Sequence, residues 1–310
     1  MNAPLIFVVG PTATGKSAVA IELAEILSAE IINADAMQFY RGMDIGTAKL
    51  SLEGRRGIPH HLIDTLDVIE EASVADYQLR GRTIIDDLSE RGIPAIVVGG
   101  SGLYLKSLLD PLQFPGTDPV VRERLEAEAV ESGAAAMHAR LSEIDPAAAL
   151  AILPGNVRRV VRALEVIELT GEPFTATLPR DGDSHYPEAI QVGLEIGRAN
   201  LAERIEARVD RMWEAGLVEE VAHLAQSGLR EGRTARGALG YSQVLQALDG
   251  AATLESARAE TKSATRKYAR RQISWFRRDG RISWVRPDEA VALVLSRLME
   301  NQLSDGRIAE

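Results

Sequence analysis

Gly10-Pro11-Thr12-Ala13-Thr14-Gly15-Lys16-Ser17 satisfies G-x-x-x-x-G-K-[ST] at every constrained position. A loop of this kind wraps a phosphate. Its glycines permit the close turn, successive amides and a helix N-terminus point at the anion, Lys16 adds charge, and Ser17 supplies a hydroxyl for Mg2+. All eight residues are therefore candidate ligands of a diphosphate or triphosphate, but the loop says little about what the phosphate carries. An NTPase usually ends a later apolar strand in an aspartate that serves the magnesium shell. Here the apolar run 95–98 leads into Gly99-Gly100-Ser101-Gly102, which has no acid. Asp35 follows another apolar run instead and can act as a base or in a metal shell, although a loop aspartate also makes a good turn or cap. Arg204 and Arg208 lie one helical turn apart and can share a face, toward a diphosphate or simply toward solvent. His60-His61 is a poor metal pair, because adjacent histidines seldom face one site and no third ligand is near.

Such scattered groups need a scaffold that gathers distant loops. Leu5–Val9 is a short apolar run closed by glycine, and residues 17–27 carry apolar side chains at helical spacing, so the phosphate loop sits between a strand and a helix. Residues 30–34 and 94–98 read as further strands, with Ser73-x-x-Asp76 opening a helix between them that Gly92 and Pro94 stop near Arg91. Strands alternating with helices imply a parallel sheet, whose ligands gather outside the carboxyl ends of the strands. From residue 113 to 187 the strand signal gives way to helical patterns. Asp118-Pro119 and Asp145-Pro146 are N-cap and first-turn pairs, and Gly182-Asp183-Ser184 closes the stretch. Residues 189–196 alternate like a returning strand, Asn200-x-x-Glu203 opens a helix, 253–279 forms a long helix, and 281–285 is a final strand. The expected fold is α/β: a P-loop NTPase-like parallel sheet core, an inserted all-helical domain and a helical C-terminal region. Its parts are 1–112 as core, 113–187 as insertion and 188–310 as resumed core.

Composition narrows the chemistry. The 310 residues are 45% hydrophobic, enough to build one large or two modest cores, and the absence of cysteine excludes disulfides, thiolate metal sites and cysteine nucleophiles. The longest apolar runs fall far short of the roughly 20 residues that span a bilayer. Few residues precede the first strand, so no leader is expected, and the cytoplasm is the expected compartment. A net charge of −10 argues at first against a polyanionic partner. Residues 253–281, however, hold nine basic and three acidic side chains, whereas every other segment is acidic. That surplus is either a solvated helix face or a nucleic-acid contact.

The run Asp35-Ala36-Met37-Gln38-Phe39-Tyr40-Arg41-Gly42-Met43-Asp44-Ile45-Gly46-Thr47-Ala48-Lys49 closely resembles the signature of the tRNA dimethylallyltransferases. Four more segments agree in order along the chain: the phosphate loop, Pro59-His60-His61-Leu62-Ile63-Asp64, Gly99 through Tyr104, and Arg266 through Trp275. Ala36 stands where that family commonly has serine, and Ser101 where it commonly has threonine. The resemblance implies transfer of a dimethylallyl group from its diphosphate to the exocyclic amine of the adenosine that follows the tRNA anticodon. It also implies roles. Asp35 would take the amine proton, Ser101 orient the base, Lys16 and Arg208 hold the diphosphate, and Ser17 hold Mg2+. Contacts to the anticodon arm would come from Asp35, Ala36, Met37, Gln38 and Ser101, from Arg122, Arg158, Arg159, Val160, Val161 and Arg162, from Leu239, Gly240 and Tyr241, and from Arg270, Arg271, Gln272, Trp275 and Arg277.

The chemistry suits these residue types. An adenine amine is a poor nucleophile and needs an acceptor for its proton, while charge grows on the departing diphosphate and needs cations and amides. The adenine must be drawn out of its stack, and loops of RNA are read by arginine planes, aromatic rings and base edges. A magnesium-dependent prenyl transfer by a monomer without ATP hydrolysis is thus expected. Its alternatives are an ATP-dependent small-molecule kinase with 113–187 as a lid, or a non-catalytic RNA-binding protein.

Overall fold

The structure, a computed structural model, describes residues 3–174 and 184–304. Six strands form one parallel sheet: β1 (Leu5–Val9), β2 (Glu30–Asn33), β3 (His60–His61), β4 (Ala95–Gly99), β5 (Ile190–Leu194) and β6 (Ser283–Val285), in the order β3-β2-β4-β1-β5-β6. β1 is central, and Ile6 through Val9 are buried on both faces, as an all-parallel sheet requires. Helices α1 (Lys16–Leu27), α2 (Val74–Glu90) and α3 (Gly102–Leu109) follow β1, β3 and β4. α1 places Val19, Ala20, Leu23 and Ala24 against Ile6, Val8, Ile31, Ile96 and Val192.

Parallel register brings the functional loops to one edge. Val9 lies level with Gly99 and Gly193, and Asn33 with Val98, so the loops after β1, β2 and β4 leave the sheet side by side. Gly10 must be glycine there, since its φ is 138° and a Cβ would stand 2.8 Å from Leu194 O.

The chain divides into two compact units, residues 1–108 with 186–310, and residues 109–185. The second unit is helical among its described residues. It comprises α4 (Pro119–Ile144), bent at Gly133, then α5 (Pro146–Ala151) and α6 (Val157–Thr170), around Leu125, Met137, Leu141, Val160 and Leu164. Asp118 accepts from the amides of Val120 and Val121, and Asp145 from Ala148 N, the capping expected of Asp-Pro pairs. The predicted Gly182-Asp183 turn lies outside the described residues.

The first unit resumes with α7 (Arg198–Glu214), α8 (Leu217–Gln226), α9 (Tyr241–Leu248), α10 (Leu254–Phe276) and α11 (Ala290–Ser304). α7 starts two residues before Asn200, with Gly197 as its cap, so the expected Asn200 cap is wrong. α10 is capped by Thr253, whose hydroxyl accepts from Ser256 N. Among the described residues no helix is long and apolar enough to cross a membrane.

Candidate active site

The phosphate loop is held by its own residues. Thr14 Oγ1 and Lys16 Nζ both donate to Pro11 O, at 2.9 and 2.8 Å. Burial, helped by the charge of Arg208, pushes the Lys16 ammonium down to about 7 against the opposing pull of Asp35. Ser17 is exposed in the first turn of α1.

Asp35 begins a short 3-10 helix, Ala36–Phe39, and its Oδ1 accepts from Met37 N at 3.0 Å. The cap uses one carboxylate oxygen of Asp35. Asn33 fixes this turn: its side chain accepts from Asp35 N and donates to Asp35 O and Leu62 O. Ser101 Oγ accepts from Ala36 N at 3.4 Å, which joins the loops after β2 and β4. On the other side Ser101 lies close to the Tyr268 hydroxyl, which burial and Asp35 push up to about 12.

Arg208 donates to Thr47 O at 3.3 Å and makes no ion pair among the described residues. Burial pushes its pKa down, Asp35 opposes that shift, and Arg211 adds to it. Lys16, Asp35 and Arg208 thus share one electrostatic neighbourhood although they come from three distant segments. A cavity of about 690 Å3 opens beside Arg208, with Lys49, Arg55 and Arg211 in its wall together with Ile45, Leu50 and Met212. Arg204 does not join it. That side chain lines a separate groove with Arg286, so the predicted shared face of the two arginines is not used at one site.

The turn that carries Thr47 is organised by residues that sequence reasoning missed. Glu220 of α8 accepts from the amides of Asp44, Ile45 and Gly46 at 3.1, 2.8 and 3.3 Å, and from the Tyr241 hydroxyl at 2.5 Å. Lys49, its side chain only 3% exposed, spans Tyr40 O, Asp44 and Asp64. Tyr241, expected to touch RNA, is fully buried with its hydroxyl on this carboxylate. No spacing signal ties Glu220 to a turn some 175 residues earlier.

The expected RNA-facing residues divide in the same way. Val160 and Val161 are buried in the core of the helical unit, and their side chains present no surface. Arg122 and Arg162 both bind Glu165, whose side chain is 0% exposed, and Arg162 also donates to Pro115 O and Gly116 O. Burial would raise the Glu165 carboxyl, but hydrogen bonds from the two arginines outweigh it and hold the group below its ordinary range. Arg158 and Arg159 remain exposed, with no ion pair among the described residues.

On α10, Arg258 and Lys262 pair with Asp210, and Arg266 with Glu206. Arg277 pairs with Glu195 and stacks over Trp284 at 4.4 Å. Arg270 and Arg271 are exposed without an ion pair among the described residues, Arg271 lying 5.9 Å over the Tyr268 ring, while Gln272 and Phe276 are buried. Trp275 packs on Gly102, where a Cβ would come within 2.3 Å of its ring. Met37 packs beside the cluster around Tyr40, and Gln38 donates to Thr47 O.

Residues 38–279 match the family described as IPP transferase, and residues 2–62 the one described as isopentenyl transferase. A tRNA dimethylallyltransferase of Thermobifida fusca is 60% identical over 295 residues, covering 94% of this chain and 92% of that protein. One from Streptomyces coelicolor is 58% identical, covering 95% and 94%. Among solved structures, the full-length tRNA isopentenylpyrophosphate transferase of Bacillus halodurans superimposes with a TM-score of 0.71 at 39% identity, covering 98% of this chain and 99% of that one. A eukaryotic dimethylallyltransferase acting on tRNA gives 0.83 at 26% identity, covering 99% and 81%.

Proposed function

The chain belongs to the IPP transferase family, and on that premise we propose that it transfers a dimethylallyl group from its diphosphate to the exocyclic amine of the adenosine that follows the tRNA anticodon. The observation that carries the reading is the meeting of a phosphate loop, an aspartate and an arginine without an ion pair at one sheet edge. The bond that forms joins the amine nitrogen to the first prenyl carbon, and the bond that breaks joins that carbon to the diphosphate oxygen. The amine proton passes to Asp35, whose second carboxylate oxygen has no capping bond. Pyrophosphate leaves into the amides of residues 13–17, with Lys16 and Arg208 as counter-charges. The wall of Ile45, Leu50 and Met212 beside Arg208 suits the apolar prenyl tail. Ser101, held by Ala36 N and close to Tyr268, orients the base.

A divalent cation fits this site. Ser17 Oγ is an exposed hard oxygen donor at a helix N-terminus, and the diphosphate brings further oxygens, the donor set that Mg2+ prefers. When bound, the ion neutralises charge on the leaving group. Arg158, Arg159, Arg270 and Arg271 are the exposed cations offered to the anticodon arm. The proposal extends to a monomer that works in the cytoplasm. The relatives are named for tRNA prenylation, which leaves the ATP-dependent kinase reading without support.

The test is mass spectrometry of tRNA incubated with dimethylallyl diphosphate, Mg2+ and the protein. One prenyl mass on the adenosine, with pyrophosphate released, is expected. Asp35→Ala should cut turnover about 10²-fold or more while tRNA binding is kept. An unmodified adenosine with the native protein defeats the reading.

A further inference from the structure

α10 has two faces with different partners. Arg270 points outward and Arg271 is exposed with its guanidinium 5.9 Å over the Tyr268 ring, whereas Tyr268, Gln272 and Trp275, at i, i+4 and i+7, face the loops at the sheet edge. Gln272 sits at the centre of that inner row and is 6% exposed. Its Oε1 accepts from Thr12 N of the phosphate loop at 3.0 Å, and its Nε2 donates to Gly100 O at 2.9 Å. One neutral amide therefore bridges the loops after β1 and β4, which are adjacent strands in the sheet. The fit leaves no slack, since a Cβ at Gly100 would stand 2.3 Å from Nε2.

Each end of this side chain is engaged by backbone, and at 6% exposure little of it is presented to an RNA base. We propose that Gln272 is a positioning residue for the diphosphate loop, joining the helix that carries Arg270 and Arg271 to the site that binds the prenyl donor. The inference rests on the reading of residues 10–17 as that donor site. With its amide turned to Gln272, Thr12 is set as a hinge of the loop, and the later amides and Lys16 are the ones directed at the anion. Losing the bridge leaves a buried N–H and a buried C=O without partners, and the loop then has alternative conformations to populate. An amide supplies both the acceptor and the donor that the two ends require. A glutamate can accept from Thr12 N but cannot donate to Gly100 O, and it brings negative charge beside the diphosphate.

The experiment compares native enzyme, Gln272→Ala, Gln272→Glu and Arg270→Ala. It measures KM for dimethylallyl diphosphate at saturating tRNA, Kd for tRNA, and thermal unfolding. Gln272→Ala should raise the donor KM about tenfold or more and leave the tRNA Kd within about twofold, with Gln272→Glu raising KM further. Arg270→Ala should do the reverse. A tenfold loss of tRNA affinity at an unchanged donor KM would make Gln272 an RNA contact and overturn the proposal, and so would a variant with both constants unchanged. Should Gln272→Ala fold poorly, the similarly sized Gln272→Glu is read in its place, with rates normalised to tRNA-binding-competent enzyme. If the native enzyme itself releases no pyrophosphate with tRNA and donor, the underlying functional reading fails rather than this one.

Discussion

Arg208 in the first unit and Arg162 in the second are both arginines on amphipathic helices, both withdrawn from solvent, and their electrostatic situations are opposite. Arg162 shares the buried Glu165 with Arg122 and adds two backbone carbonyls. Arg208 holds one backbone oxygen, has no ion pair, and is shifted down by burial. A buried cation with a full set of acceptors belongs to the fold. One left short of acceptors is costly to keep, and that cost is recovered only when an anion arrives. The same rule sorts the surface charges. Arg258, Lys262, Arg266 and Arg277 are neutralised by acids of the first unit, and Arg270 and Arg271 are not.

The contrast can be broken by mutation. Glu165→Ala strands two cations and should destabilise the helical unit by about 3–5 kcal/mol, read by denaturant unfolding. A loss below about 1 kcal/mol would mean that the triad is no anchor. Arg208→Ala should lower kcat/KM for the donor by about 10²–10³-fold while thermal stability holds or rises. Equal loss of stability would remove the difference from Arg162. Replacing Arg270 and Arg271 together should reduce the slope of log affinity for tRNA against log salt by about 2, whereas Arg277→Ala, already paired, should change it little. An unchanged slope for the double variant would make the pair structural.

The smallest effect concerns pH. The free-enzyme Lys16 titrates near 7, and the diphosphate needs its ammonium form. Log kcat/KM for the donor should therefore be flat below about 7 and fall above it. Lys16→Met should abolish that limb. For Glu165 the sign is the reverse. Its folded pKa lies below the ordinary 4.5, so its stabilising contribution is full above that value and is lost as pH falls through the folded pKa. Acid unfolding of the helical unit, followed by circular dichroism, checks this.

Much of the sheet was legible in the amino-acid pattern because local signals carry it. Leu5–Val9 is a strand at the expected residues, and the Asp118 and Asp145 caps work as their Asp-Pro pairs imply. β3, two residues long, offers too little pattern to see, and α7 starts earlier than Asn200 because Gly197 supplies the cap. At the site, Gly10 through Ser17, Asp35, Ser101 and Arg208 were visible as residue types. Asn33, Glu220 and Tyr268 were not, because each acts through a partner remote in the chain or through its own backbone, which leaves no spacing to detect.

Sequence alone determined the phosphate loop, the alternation that makes a parallel sheet, and the basic segment inside an acidic protein. Those depend on residue type and short-range order, which a linear pattern records. Only the tertiary structure decided which cations are spent. Arg122, Arg162 and Arg277 meet carboxylates brought by folding, Gln272 meets two loops, and Val160, Val161 and Tyr241 are buried. Pairing and burial are properties of three-dimensional neighbours, and the neighbour that neutralises a charge is often far along the chain, as Glu195 is from Arg277.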